Sequence, residues 1–154
     1  MPKTERKLVT KNRQAFHNYE IIDSYEAGIV LEGTEVKSIR EGRINLKDSY
    51  AQVKDGELWL IHCHISPYPQ ASFSQHDPVR PRKLLLHAKQ IAKLTGDITR
   101  KGLTIVPLSV YLLGSRIKVE IAVARGKQAF DKRETERRKT IERDIQAELK
   151  RRSR

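Results

Sequence analysis

The residues of this chain best suited to chemistry are suited to holding an anion rather than to breaking a bond. Lys37, Arg40, Arg43, Lys47, Arg82 and Lys83 offer cationic donors for phosphate oxygens, and Phe16, His17 and Tyr19 offer ring faces on which a base can stack. Motifs for catalysis are sparse. No GxxxxGK[ST] or GxGxxG occurs, and Gly126-Lys127 lacks both the upstream glycine and the following hydroxyl of a phosphate loop. Ser115 and Lys118 form an S-x-x-K, but the tetrad opens a strand and its companion elements are absent. His62, Cys63 and His64 are zinc-ligand types, yet on a strand Cys63 faces away from both histidines, and no second cysteine completes a tetrahedral set. No DxD pair supplies a two-metal site. The expectation is no catalytic residue, no metal and no cofactor.

Such residues need elements to present them. Lys118 to Ala124 alternates large apolar with charged or small residues, the period of a half-buried strand. It follows Leu103–Leu113 across Gly114-Ser115, so the two read as an antiparallel hairpin. Ser49–Lys54 and Glu57–Ile65 flank Asp55-Gly56 and read as a second. Asn18–Ser24 and Ala27–Leu31 are two further apolar, β-branched runs, giving about six strands. Thr34 is positioned to cap a short helix Glu35–Glu41 closed by Gly42, with Val36 and Ile39 inward and Lys37 and Arg40 on another face. A second helix fits His87–Lys101, with Ile91, Leu94 and Ile98 as its buried stripe. The pattern predicts a mainly β fold with short helices, a small closed antiparallel barrel of the oligonucleotide-binding kind.

Composition fits that reading. The 154 residues carry 31 Lys and Arg against 19 Asp and Glu, a net charge of +12, which draws a protein to polyanions. The excess is uneven: residues 1–13 hold +4, residues 14–124 only +2 and residues 125–154 hold +6. A nearly neutral body with two basic arms is expected, with domains at 1–13 (arm), 14–125 (barrel) and 126–154 (tail). In the tail the large apolar residues are Phe130, Ile141, Ile145 and Leu149, a stripe one residue wide. That predicts disorder in the free protein and a helix against a partner. The longest apolar stretch, Ile105–Leu113, is nine residues and contains Pro107, short of the roughly 18 to 20 of a membrane span. A basic start without an apolar stretch behind it and a single cysteine, Cys63, set the expectation of a cytoplasmic protein.

Longer blocks carry a resemblance. Tyr25-Glu26-Ala27-Gly28-Ile29-Val30-Leu31, Gly33-Thr34-Glu35-Val36-Lys37-Ser38, Asn45-Leu46 and Asp48-Ser49-Tyr50-Ala51 resemble the signature of the small protein B family, the bacterial partners of transfer-messenger RNA. His64-Ile65-Ser66-Pro67-Tyr68, Arg82-Lys83-Leu84-Leu85-Leu86-His87, Thr104-Ile105-Val106-Pro107-Leu108, Ala124-Arg125-Gly126-Lys127 and Asp131-Lys132-Arg133-Glu134 continue it in order, from about Asn12 to Glu134.

The resemblance implies a non-enzymatic RNA-binding protein that grips the tRNA-like domain of transfer-messenger RNA and brings it to ribosomes stalled without a stop codon. Its implied partners are that RNA, the decoding centre and messenger channel of the small ribosomal subunit, and the elongation factor that carries aminoacylated RNA. Glu26, Leu85 and His87 would belong to the RNA surface, with His87 standing where some members have Asn. Lys127, Phe130, Asp131, Lys132 and Arg133 would belong to the tail sensed in the empty channel, with Phe130 where relatives place His or Tyr. Each residue also has a plainer reading: Glu26 an intramolecular cap or ion pair, Leu85 ordinary core, Lys37 and Arg40 a solvated helix face. A ribosomal or ribosome-associated structural RNA-binding protein is the alternative that shares the basic arms.

Overall fold

The computed structural model describes residues 5–69, 75–127 and 140–150. Its elements run β1 (Arg6–Lys11), α1 (Arg13–Asn18), β2 (Tyr19–Ile29), α2 (Gly33–Arg40), β3 (Ile44–Asn45), β4 (Tyr50–Lys54), β5 (Glu57–Ile61), β6 (His64–Ile65), β7 (Arg82–Leu85), α3 (Ala88–Lys101), β8 (Thr104–Leu113) and β9 (Arg116–Gly126). Residues 140–150 form a further helix, α4. The fold is thus mainly β with short helices, as expected. Among the described residues no helix is long and apolar enough to cross a membrane.

Every strand pairing is antiparallel. The main sheet has the order β1-β8-β4-β5-β7-β2-β9, and β9 pairs with β8 as well as with β2. The β4–β5 hairpin turns on Asp55 (φ 53°) and Gly56 (φ 74°), the doubly left-handed geometry that matches strand twist and that Asp-Gly adopts readily. The expected long partner strand stops early. β5 ends at Ile61, His62 takes φ 62°, and the chain turns so that β6 pairs with β3 in a separate ladder.

Two bulges decide which residues face inward. The register of β2 against β9 shifts between Ile21 and Asp23, and that of β8 against β9 between Pro107 and Ser109. Beyond them Ala27, Val110, Val119 and Ile121 enter the main core with Leu58, Leu60, Leu84 and Ile105. On the opposite face of the same strands Val106, Leu108, Ala122 and Ala124 form a second apolar layer with Ala15 of α1. Burying a Leu or Ile side chain stabilises by about 1.5–3 kcal/mol, so α2 and α3 are held chiefly by Ile39 and Leu94, both fully buried.

Several expectations are corrected. Asn18–Ser24 and Ala27–Leu31 are not two strands: Tyr19–Ile29 is continuous, because the bulge at Ile22 absorbs the break in apolar period. The basic arm contains β1, which pairs with β8 from Arg6↔Leu113 to Lys11↔Ser109. The N-cap of α2 is Glu32 rather than Thr34, with the Glu35 side chain accepting from the Glu32 N–H at 2.8 Å. α1 was not foreseen; Asn12 caps it by accepting from the Ala15 N–H at 3.3 Å. Every residue of α4 is exposed, its Ile141, Ile145 and Leu149 stripe included.

Candidate nucleic-acid interface

β7 sorts the basic pair Arg82-Lys83 by alternation. Arg82 and Leu84 point inward; Lys83 and Leu85 point outward. Arg82 is 0% exposed. Its Nε donates to Glu35 Oε2 at 2.5 Å, one terminal nitrogen to the Cys63 carbonyl at 2.5 Å, and the other to the Pro78 and Asp77 carbonyls at 3.1 and 3.3 Å. Arg82 is therefore not a phosphate ligand: a buried guanidinium whose donors are taken up inside the fold has none to offer RNA.

Glu35 is equally buried and also accepts from Arg80. Burial alone would raise its carboxyl, but the Glu32 N–H and the Arg80 and Arg82 guanidiniums outweigh it and hold Glu35 below its usual value. The neighbouring His76 joins the same cluster, with Nδ1 against Thr34 Oγ1 and Nε2 against the Ile65 carbonyl, both at 2.8 Å. This inner network clamps α2 to β6 and β7. Cys63 lies beside it, fully buried, its thiol pushed up to about 12 mainly by burial. His62 and His64 are not buried with it, and among the described residues no group of three or more His, Cys, Asp or Glu is placed to hold a metal ion.

On the outer face Glu26, Leu85 and Lys83 follow one another along β2 and β7, with Leu85 between the other two. Gly28 of β2 lies opposite Leu85 of β7, and Glu26 is two residues along the same face. Leu85 is 49% exposed, so the ordinary-core reading is excluded. A Cβ at Gly28 would stand 3.3 Å from Leu85 Cβ, so the glycine lets the leucine lean across its neighbour strand. Lys83 Nζ is 3.1 Å from Glu57, in a pair more than a third exposed on both sides. His87, also exposed, follows as the N-cap of α3, its backbone N–H donating to Gln90 Oε1 at 3.1 Å.

The other sequence-predicted residues fall into two further patches. Lys37 and Arg40 are exposed on α2, whose opposite face buries Glu35, Ser38 and Ile39; Lys37 Nζ lies 5.5 Å from the centre of the Tyr68 ring, and Arg43 pairs with Glu41 at 3.2 Å. His17 and Tyr19 are half-buried around the end of α1, near the exposed Phe16, over which Lys11 Nζ sits at 4.8 Å. Gln14 bonds Asp48 at 2.9 Å and so ties α1 to the loop of Lys47, and the Lys127 N–H donates to the Asn18 carbonyl at 2.9 Å. Phe130, Asp131, Lys132 and Arg133 lie outside the described residues. Sequence reasoning missed Tyr68 as a partner of Lys37, Lys11 as a partner of Phe16, and Tyr111, which sits in an apolar run and reads as core.

The SmpB protein family model matches residues 9–151. The chain belongs to the SmpB family. Among its relatives, the SsrA-binding protein of Enterococcus faecalis is 55% identical over 150 residues, covering 97% of each chain. That of Gloeothece citriformis is 58% identical over 146 residues, covering 94% of each. A solved structure reported as "tmRNA-SmpB: a journey to the center of the bacterial ribosome" is similar with a TM-score of 0.66 and 48% identity, over 78% of this chain and 85% of that one. The SmpB match takes in all three patches and the whole of α4.

Proposed function

We propose that this SmpB-family chain binds the tRNA-like domain of transfer-messenger RNA and delivers it, with the elongation factor that carries aminoacylated RNA, to stalled ribosomes for trans-translation. It acts as a cytoplasmic binding protein and not as an enzyme. Residues 14–125 form a closed barrel of the oligonucleotide-binding type, a reading supported by the pairing of β9 with β8 that brings the sheet order back on itself. Residues 126–154 act as a tail that enters the empty messenger channel of the small subunit and is sensed there through Lys127, Phe130, Asp131, Lys132 and Arg133.

The observation that carries this reading is Leu85, held half-exposed beside Glu26 and Lys83 on a sheet face in a chain closely similar to SsrA-binding proteins. Such a mixture suits a folded RNA: an apolar contact for a base or ribose, a cation for phosphate and a carboxylate for a hydrogen-bond donor. Lys37, Arg40 and Arg43 on one patch and His17, Tyr19 and Lys47 on another supply further phosphate and stacking contacts. Two experiments test it. Sequencing of the RNA that co-purifies with the chain should return one abundant small RNA; stoichiometric recovery with all ribosomes indicates a ribosomal structural protein instead. Removal of residues 130–154 should leave RNA affinity within a few-fold of the parent yet abolish peptide tagging on ribosomes stalled on truncated messages. Tagging at parental rates overturns the role given to the tail.

A further inference from the structure

Beyond its bulge β8 alternates so that Val110 packs in the core and Tyr111 stands on the outer face. An outward tyrosine on a sheet is ordinarily wet, yet Tyr111 is 1% exposed. It is covered by Arg6 of β1, whose guanidinium lies 3.6 Å from the ring centre and is anchored to Glu120 Oε2 at 2.6 Å. In the register Tyr111 opposes Lys118 while Glu26 opposes Glu120, so the ring crosses β9 on the diagonal and its hydroxyl donates to Glu26 Oε2 on β2. Burial first, then this bond, raises the phenol and keeps it a donor. Glu26 is exposed, and among the described residues its Oε1 accepts no hydrogen bond.

A carboxylate in a chain of net charge +12 repels the phosphate backbone that the cations attract. Its use to an RNA-binding face is to accept from a donor that a phosphate lacks: a ribose hydroxyl or a base-edge N–H. That use requires a fixed acceptor, because a free glutamate loses rotamer entropy on binding. We propose that Tyr111, clamped under Arg6, is a positioning residue that holds Glu26 Oε2 and leaves Oε1 as the acceptor for a hydroxyl or base-edge N–H of the bound RNA. The inference rests on the RNA-binding reading above. It assigns a recognition role to two side chains that lie two and three strands from Glu26 and need touch no RNA themselves.

The test is a double-mutant cycle on the full chain, with affinity for transfer-messenger RNA measured at one salt concentration. Glu26→Gln should weaken binding by about ten- to a hundredfold, the effect of losing one hydrogen bond to a charged group, and Tyr111→Phe should weaken it by a smaller factor, because it frees the carboxylate without removing it. The combined variant should bind no more weakly than Glu26→Gln alone, because Tyr111 acts only through Glu26. Thermal melting of Tyr111→Phe, which keeps the ring under Arg6, serves as the check on folding. Should that variant fail to fold, Arg6→Lys closes the same cycle: it keeps the charge, loses the planar stack, and should weaken binding in the parent but not in the Glu26→Gln background. Additive losses, or parental affinity in Tyr111→Phe beside a loss in Glu26→Gln, overturn the inference alone. Failure of the parent to bind transfer-messenger RNA overturns the functional reading and takes the inference with it.

Discussion

Two clusters of arginine and glutamate lie on opposite sides of one sheet, and they differ in what water can reach. The inner cluster joins Glu35 to Arg82 and Arg80 with both members of its central pair fully buried. The outer cluster joins Arg6 to Glu120 over Tyr111 and Glu26 with its ion pair half and about a third exposed, at 50% and 30%. Desolvated charges must find partners inside the fold, so Glu35 and Arg82 are committed to each other and to neighbouring backbone groups and serve the architecture. Solvated ones lose little by keeping a lone pair free, so the outer group can offer one to a ligand. Adjacent residues of β7 show the same division, with Arg82 committed inward and Lys83 turned out to Glu57. On β7, which cation is open to a ligand is set by side-chain parity, since both residues carry the same charge.

The largest effect should come from breaking the inner pair on one side. Arg82→Ala leaves Glu35 buried with one guanidinium fewer, and removal of one partner of a buried pair typically costs about 3–5 kcal/mol. Urea or thermal unfolding measures it against Lys83→Ala, whose exposed pair with Glu57 contributes no more than about 1 kcal/mol. Equal losses for the two variants would erase the distinction drawn between the clusters.

Acid tests the inner cluster next. The folded value of Glu35 lies below its unfolded value of 4.5, so its contribution to stability is fully present above about pH 4.5 and is lost as pH falls through the folded value. Glu35→Gln should therefore be most destabilising near neutral pH, and its deficit relative to the parent should shrink as pH drops below about 4.5. A deficit constant from pH 7 to pH 3 would mean that the carboxylate charge is not what the arginines hold.

The same parity explains what could be read from the sequence. The Asp55-Gly56 hairpin and α3 were legible, because a two-residue turn and an i, i+3, i+4 stripe are local signals. Leu94 and Ile98 pack where the period put them, though only Leu94 is fully buried. α1 was invisible: six residues are too few to show a period. β1 was hidden by its own charges, since RKLVTK reads as an arm until β8 is there to pair with it. The basic residues were found by type, but nothing in the neighbouring letters of Arg82-Lys83 says which points inward; that depends on pairing register with β2 and β5. Tyr111 failed for the converse reason. In LTIVPLSVYLL it looks like core, and only the bulge beside Pro107 turns it outward.

On the surface the effects should be read through salt. Charge reversal at Lys37 and Arg40, which lie on the exposed face of α2, should weaken binding of a tRNA-like RNA and flatten the dependence of affinity on salt, by about one unit of slope for each phosphate no longer neutralised. Stability should barely move, unlike that of Arg82→Ala. An unchanged slope in a folded double variant would remove α2 from the interface.

The smallest effect is a reporter on the whole contrast. Cys63 is fully buried and its carbonyl accepts from Arg82. With the thiol pushed up to about 12, roughly one molecule in 10,000 carries a thiolate at pH 8, and only the thiolate reacts with an alkylating reagent. Native protein should thus label far more slowly than an exposed cysteine. What labelling occurs should follow opening of the inner cluster, because the reagent reaches Cys63 only when the packing around Arg82 gives way. Arg82→Ala should accelerate it by about tenfold for each 1.4 kcal/mol of stability lost, whereas Tyr111→Phe, on the other face, should leave it at the parental rate. Acceleration by the outer substitution as large as by the inner one would show that the two clusters are a single cooperative unit, and would withdraw the freedom to tune Glu26 without disturbing the fold.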